Sequence, residues 1–321
     1  HKALDSRMAS QQQRYPSVKV AVLIATRDRS RMLRRTLESL CAMETAGLNW
    51  VLWIADNGST DETQSVLETF RQRLPLHSVV VEKPGKNAAL NVLLDHAVAD
   101  LHVFTDDDVL VDPQWLAEFT RAAQEHRDFS VFAGRILPQF PPGSPSWITD
   151  HSYRFADAAF ARFDCGENDG QVEREPFGPS FALRAMSGLR FDESVGPDGR
   201  ENYICGGETE LLQRLRRAGE STWYVAKAKV GHVVRSEQLQ PEWLNKRAFR
   251  LGRGNAYISP ANGHRLFNVP WSVLRSLAWA WLRWRYACWL GSTTKRIYRS
   301  ETYFHRLGQF VEYRGRDRTH H

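Results

Sequence analysis

Residues 101–113 read LHVFTDDDVLVDP, an apolar run that ends in three consecutive carboxylates, Asp106, Asp107 and Asp108. Adjacent carboxylates repel one another, so the triplet needs solvent, hydrogen bonds or a cation. Clustered oxygen ligands suit Mg²⁺ or Mn²⁺, and a metal held this way can neutralise a diphosphate. A solvated acidic turn is the alternative reading. The triplet's place at a strand end, with Asp56 at a neighbouring one, favours the cation.

Working outward, Val18–Ala25 (VKVAVLIA) is a continuous apolar run, the pattern of a strand buried on both faces of a parallel sheet. Ser30 can cap a helix that carries Leu33, Leu37 and Leu40 on one side. Trp50–Ala55 (WVLWIA) predicts a second strand, stopped by Asp56-Asn57-Gly58. Thr60 then opens a helix with Val66, Leu67 and Phe70 inward. Ser78–Val81 reads as a third strand, Asn87–Ala97 as a helix and Leu101–Thr105 as a fourth strand. This alternation implies right-handed crossovers and an α/β, doubly wound, mostly parallel sheet. Such sheets bind ligands at the carboxyl ends of their strands, where Thr26, Asp56 and Asp106 fall. Residues 138–175 open Pro-rich and read as an insertion or mobile loop. Order returns at Phe177–Leu183, with a helix over Glu208–Ala218 and a strand over Ser221–Val225.

The ordered elements VAVLIATRDR, ADNGSTDET, KPGKNAALN and FTDDDVLVDP, then GPSFALR, FDESVG, GGETELLQRLRRAG and VGHVV, resemble a family-2 glycosyltransferase of the GT-A (nucleotide-diphospho-sugar transferase) fold. The resemblance spans roughly residues 17–257. It implies that Thr26 and Asp56 contact the nucleotide base, with Arg27 beside them. A carboxylate facing the uracil imide N–H is a sensible hydrogen-bond match, although Asp56 can also cap its own turn. Lys86, Ala89 and Asn91 match the element that flanks base and ribose, but Leu90 stands where many members carry arginine. Within the triplet, Asp106 falls to the ribose side and Asp108 to the metal, Mn²⁺ or Mg²⁺, with Asp107 between. His232 matches a position that completes the metal site, and a structural histidine is the other reading. Gly178 and Ser180 fall beside the donor sugar or acceptor.

Family members usually open one helix with a Glu-Asp pair whose Asp is the catalytic base. Here Glu208 takes the Asp position and Gly207 replaces the Glu, while Glu210 remains a rival. A helix N-terminus favours an ionised carboxylate able to accept a proton. The implied chemistry is a single inverting displacement, from a nucleotide-sugar, in first place a UDP-sugar, to a hydroxyl of a glycan or lipid-linked acceptor.

The net charge of +6 conceals a division. Residues 1–226 carry 25 Lys/Arg against 32 Asp/Glu, whereas residues 227–321 carry 18 against 5. Six of the eleven tryptophans lie in that basic tail. Residues 269–290 (VPWSVLRSLAWAWLRWRYACWL) are long enough to span a bilayer, yet Arg275, Arg283 and Arg285 make a span costly. At about 100° per residue, Val273, Leu277, Trp281, Trp284 and Cys288 share one side, opposite the arginines. That pattern predicts a helix in the interface of an anionic membrane, or one packed on protein. No nucleic-acid-binding module accompanies the charge.

Four cysteines without a CxxC pair argue against a disulfide framework and fit a reducing compartment. The first 17 residues lack the apolar core of a secretory signal. The expected organisation is a disordered or vector-derived segment over 1–16, a catalytic domain over 17–240 and a basic, Trp-rich helical region over 241–321. The expected location is cytoplasmic, on the inner face of the cell membrane. Two other classes compete. A nucleotidyltransferase would want glycines in ATRDRSR, and a non-catalytic binding protein would account for Gly207 and Leu90. A processive synthase is disfavoured by the lack of a QxxRW motif.

Overall fold

The computed structural model describes residues 18–149, 156–259 and 263–315. The sheet strands are β1 (Lys19–Thr26), β2 (Asn49–Asp56), β3 (Leu76–Val80), β4 (Leu101–Phe104), β5 (Val109–Val111), β6 (Val131–Gln139), β7 (Gly170–Val172), β8 (Phe181–Arg184) and β9 (Thr222–Val233). They form one nine-stranded sheet in the order β3-β2-β1-β4-β8-β6-β9-β5, with β7 also paired to β9. Six strands point one way; β5, β7 and β8 run against them. Helices α1 (Ser30–Cys41), α2 (Thr63–Phe70), α3 (Lys86–His96), α4 (Trp115–Glu125) and α7 (Gly207–Arg217) cover the two faces. Short helices α5 (Ser146–Thr149) and α6 (Ala156–Phe160) precede β7.

The continuous apolar run of β1 is explained by its two neighbours. Val20, Val22 and Ile24 pack with Leu33 and Leu37 of α1, Leu67 of α2 and Trp115 of α4. Ala21 and Leu23 pack with Ala89 and Leu93 of α3 and Leu211 of α7 on the other side. Side chains alternate across a strand, so both faces must be apolar where both are covered.

Two expected helix starts shift. Ser30 and Thr60 do not cap their helices; Asp61 serves both ends. Its carboxylate accepts the Ser30 N–H at 2.8 Å and the Thr63 N–H at 3.0 Å. Burial works the other way, but bonds from Thr63 and Ser30 hold this carboxyl down at about 2. The second helix therefore begins at Thr63. Within 138–175, the described part is no free loop. Phe163 pairs with Ile136 beside β6, and β7 extends the sheet. Residues 150–155 lie outside the described segments. The predicted strand at Ser221–Val225 is the start of the 12-residue β9, which continues to Val233 and carries His232.

Three helices complete the described chain: α8 (Pro241–Ile258), α9 (Trp271–Leu290) and α10 (Thr293–Gly315), with a small hairpin of β10 (Arg265–Leu266) and β11 (Val269–Pro270) before α9. Glycines let α8 and α10 approach backbone to backbone. A Cβ on Gly252 would fall 1.9 Å from the His305 carbonyl oxygen, and one on Gly308 2.1 Å from that of Phe249. The expected apolar stripe of α9 divides. Val273, Ala280 and Ala287 are buried, and Trp284 stacks on Tyr303 of α10 at 5.1 Å. Trp281 and Cys288 are exposed instead, as are Trp271, Trp279, Leu282, Tyr286 and Trp289. The helix has turned the Val273–Trp284 side toward protein, where packing removes it from water. No helix among the described residues is long and apolar enough to cross a membrane.

Candidate active site

Parallel pairing sets Thr26 at the end of β1 beside Asp56 at the end of β2, and β4 delivers the acidic triplet next to them. Asp107 and Asp108 are buried, so their charges demand partners. The Thr26 hydroxyl donates to Asp107 Oδ2 at 2.7 Å. Arg29 Nη1 reaches Asp107 Oδ1 at 2.9 Å and Asp108 Oδ2 at 3.1 Å. Arg235 Nη1 lies 3.6 Å from Asp108 Oδ2. Thr36 of α1, fully buried, donates to the carbonyls of Asp107 and Val109 and fixes the turn from below.

These neighbours divide the two carboxyls. Burial would raise Asp108, but His232, Arg29 and Arg235 outweigh it and hold it well below the usual carboxylate range. Burial pushes Asp107 up against the pull of Arg29, and the Asp108 charge adds to the rise.

His232 stands across from Val109 in the β9–β5 pair. Its Nδ1 lies 2.8 Å from the Phe160 carbonyl, which can only accept, so this nitrogen carries the proton. Its Nε2 faces Asp108 Oδ1 at 3.5 Å. That oxygen is buried and lacks a hydrogen-bond partner among the described residues. A buried orphan carboxylate oxygen facing an oriented imidazole nitrogen suits a divalent cation, with the carbonyl acting as the outer partner that aims the ring. The described residues contain no cluster of three or more His, Cys, Asp or Glu able to hold a metal ion. A cation held by Asp108 and His232 alone would draw most of its shell from substrate oxygens and water.

A second group converges on Gly178. A Cβ there would touch Asp106 Oδ2 at 3.4 Å, Lys86 Nζ at 3.4 Å and Glu208 Oε1 at 3.5 Å. Lys86 forms an ion pair with Asp106. Burial alone would lower the Lys86 ammonium, but the carboxylates of Asp106 and Glu208 raise it, so it stays charged. Glu208 thus faces the same space as the first carboxylate of the triplet. Glu210 instead pairs with Arg214 at 3.0 Å, one turn along α7.

The departure at Gly207 has a steric cause. A Cβ there would lie 2.4 Å from Asn87 Nδ2 and 2.6 Å from its Oδ1. The Asn87 amide is held by the Asp192 carbonyl at 2.7 Å, so its carboxamide fills the room a side chain at 207 would need.

Residues 21–178 match the family described as Glycosyl transferase family 2. Those residues form a glycosyl transferase family 2 domain. An O-antigen biosynthesis protein of Myxococcus xanthus is 27% identical over 270 residues, 77% of this chain and 21% of that one. The beta-monoglucosyldiacylglycerol synthase of Synechocystis is 29% identical over 100 residues, 30% of this chain and 21% of that one. The chain therefore spans about a fifth of these curated relatives. Among solved structures, a mannosyltransferase of Pyrobaculum calidifontis, in complex with GDP-Man and Mn²⁺, superposes with a TM-score of 0.59 at 17% identity, covering 97% of this chain and 93% of that one. TarS 1–349 of S. aureus, in complex with UDP, gives 0.51 at 14% identity, covering 92% of each chain. Both show the GT-A fold.

Within this family 2 domain, some expected donor contacts lie elsewhere. Asn91 exchanges hydrogen bonds with the Phe191 backbone at 2.9 and 3.0 Å and also donates to Glu193, so its amide pins the 191–193 loop to α3. Ser180 is fully buried under Trp115, whose Nε1 donates to its hydroxyl at 2.9 Å. Both side chains are buried and hydrogen-bonded to other parts of the protein. Asp56 takes the Ser59 N–H at 2.9 Å and the Gln64 amide, so it does cap its turn. Arg27 is half-exposed, 3.7 Å from Asp28. Arg29, Thr36 and Arg235 were not singled out in the sequence. Arg29 had a signal, since a buried acidic triplet requires a cation and TRDRSR follows the adjacent strand.

Proposed function

We propose that this chain is an inverting, metal-dependent glycosyltransferase that moves a sugar from a nucleotide-sugar, a UDP-sugar in first place, to a hydroxyl of a glycan or lipid-linked acceptor. The convergence of Glu208, Lys86 and Asp106 on Gly178, in the same acidic turn after β4 that carries the orphan oxygen of Asp108, supports this reading best. The family 2 domain supports it, as do solved proteins of the same fold in complex with GDP-Man and Mn²⁺ or with UDP. We assign the catalytic unit to residues 17–240 and a helical accessory region to 241–321.

In this reading Thr26, Arg27 and Asp56 line the base end of the donor, Asp106 and Lys86 the ribose and sugar end, and Gly178 leaves room for the sugar. Arg29 neutralises Asp107 and orients Asp108. Asp108 and His232 would hold Mn²⁺ or Mg²⁺, which supplies charge neutralisation for the departing diphosphate. Glu208 accepts the proton of the acceptor hydroxyl while its oxygen attacks the anomeric carbon. The bond from that carbon to the phosphate oxygen breaks, and its electron pair leaves with the nucleoside diphosphate. A single displacement inverts the centre.

The exposed side of α9, with Trp271, Trp279, Trp281 and Trp289 beside Arg275, Arg283 and Arg285, supports docking on the anionic inner face of the cell membrane. This replaces the buried Val273–Trp284 side as the lipid-facing surface.

Glu208→Gln is the deciding variant. It keeps the shape and removes the proton acceptor, so turnover should fall roughly 10²–10⁴-fold with donor affinity unchanged. Donor hydrolysis and transfer, measured with and without Mn²⁺, check this. Normal turnover in Glu208→Gln would overturn the assignment.

A further inference from the structure

The loop that precedes the Glu208 helix is held from outside the segment that matches the family. One side of α8 grips residues 201–206. Lys246 Nζ lies 2.6 Å from Glu201 Oε1, Arg250 Nε donates to the Glu201 carbonyl at 2.8 Å, and Arg253 donates to the Asn202 carbonyl. Gly254 brings the α8 backbone against the loop, since a Cβ there would fall 1.9 Å from the Cys205 carbonyl oxygen.

Arg247 differs from these surface clamps. Its Nη1 donates to the buried Cys205 thiol at 2.9 Å, and its Nε is buried without a hydrogen-bond partner among the described residues. Tyr203 also faces it. Cys205 and Gly206 lead directly into α7, and Gly206 turns the chain with a φ of 104° that favours glycine. Against the effect of burial, the Glu208 carboxylate helps raise both the Lys86 ammonium of α3 and the Arg247 guanidinium of α8, so both cations lie within its electrostatic reach. A guanidinium in that place can do two things. It locks the turn that aims Glu208, and it supplies a fixed positive charge within reach of that carboxylate.

We propose that Arg247 is a positioning residue for Glu208, through which the C-terminal helices set the geometry of the base. This rests on the reading of Glu208 as the base. Arg247 touches neither the metal ligands nor the residues assigned to the donor, so its loss should act on turnover and not on donor binding. Arg247→Met removes the charge and the fork at similar length. Its kcat should fall about 10-fold to 100-fold, the scale of a misplaced catalytic group. UDP affinity in the presence of Mn²⁺, read by calorimetry, should stay within about 2-fold. Arg247→Lys should recover most of the loss, and Lys246→Gln, which frees only an exposed contact, should stay within about 2-fold of the parent.

If Arg247→Met does not fold, Arg247→Lys and Arg247→Gln carry the same comparison, with Lys required to exceed Gln by about 10-fold in kcat. Equal kcat in the Lys and Gln variants overturns the proposal. So does Arg247→Met with parental kcat, or with kcat and UDP affinity reduced together. Glu208→Gln, assayed alongside, separates the two levels. Full activity there removes the base assignment itself, whereas an inactive Glu208→Gln with a fully active Arg247→Met removes only the positioning role.

Discussion

The parallel half of the sheet and the C-terminal helical layer bury their surfaces by different means. Around β1 the contacts are aliphatic and two-sided, with Val20, Leu23, Leu33 and Leu37 fully buried. Between α8 and α10 the backbones themselves meet at Gly252 and Gly308, and Arg253 pairs with Glu312 at 2.8 Å. Meanwhile α9 leaves four tryptophans exposed. The basic surplus of the tail is therefore not one surface feature. Arg235, Lys246, Arg247, Arg250 and Arg253 are engaged inside or across the protein, and the arginines of α9 stay outside. Apolar area stabilises the first region, and close approach with charge-assisted bonds holds the second.

The sharpest break is at the site that the sheet builds. Asp108→Ala removes the orphan oxygen and should abolish metal-dependent UDP binding with the fold retained; calorimetry with and without Mn²⁺ reads it, and unchanged affinity sinks the metal assignment. Next come the two kinds of packing, compared by denaturant midpoint. Leu37→Ala should cost about 2–5 kcal/mol through lost burial and a cavity. Gly308→Ala forces a Cβ onto the Phe249 carbonyl and should cost about 1–3 kcal/mol by overpacking. A Gly308→Ala protein as stable as the parent would show that the helices separate easily.

His305, at the same helix crossing, gives a pH test. Burial, with Arg306 adding to it, pushes its imidazole down to about 4. The unfolded chain takes up that proton below about 6.5, so this stability is present above 6.5 and lost as pH falls toward 4. The slope approaches at most about 1.4 kcal/mol per pH unit. His305→Gln should flatten the thermal midpoint between pH 6.5 and 4.5, and an unaltered slope would place the imidazole in water. The smallest effect on stability belongs to α9. Trp289→Ala should shift unfolding by no more than about 0.5 kcal/mol. The combined Trp279→Ala and Trp289→Ala chain should nonetheless lose co-sedimentation with anionic liposomes at high salt, where the electrostatic part is screened. Equal pelleting of the two chains would assign those tryptophans to a protein partner.

Much of the site was legible because it lies at strand ends. A continuous apolar run followed by Asp106–Asp108 dictates a buried strand with acids at its carboxyl edge, whatever the rest of the chain does. Gly207 was visible as a departure but not as a consequence of Asn87, since the two are brought together only by the packing of α3 against α7. Asn91 and Ser180 matched the right elements. Yet which way a matched side chain points depends on neighbours far along the chain, here Phe191 and Trp115.

The sequence by itself determined the alternation of buried strands and helices, the acidic strand end and the basic tail, because periodicity and charge are local properties. Tertiary structure alone decided that Arg29 takes Asp107 and Asp108 while Lys86 takes Asp106, that Asp61 caps two helices and that Arg247 bonds the Cys205 thiol. It also decided which side of α9 faces water, since a helix that is apolar nearly all round can bury either stripe until a partner such as α10 fixes the choice. Pairings between residues tens of positions apart are set by how the layers close, and no single stretch of chain contains that information.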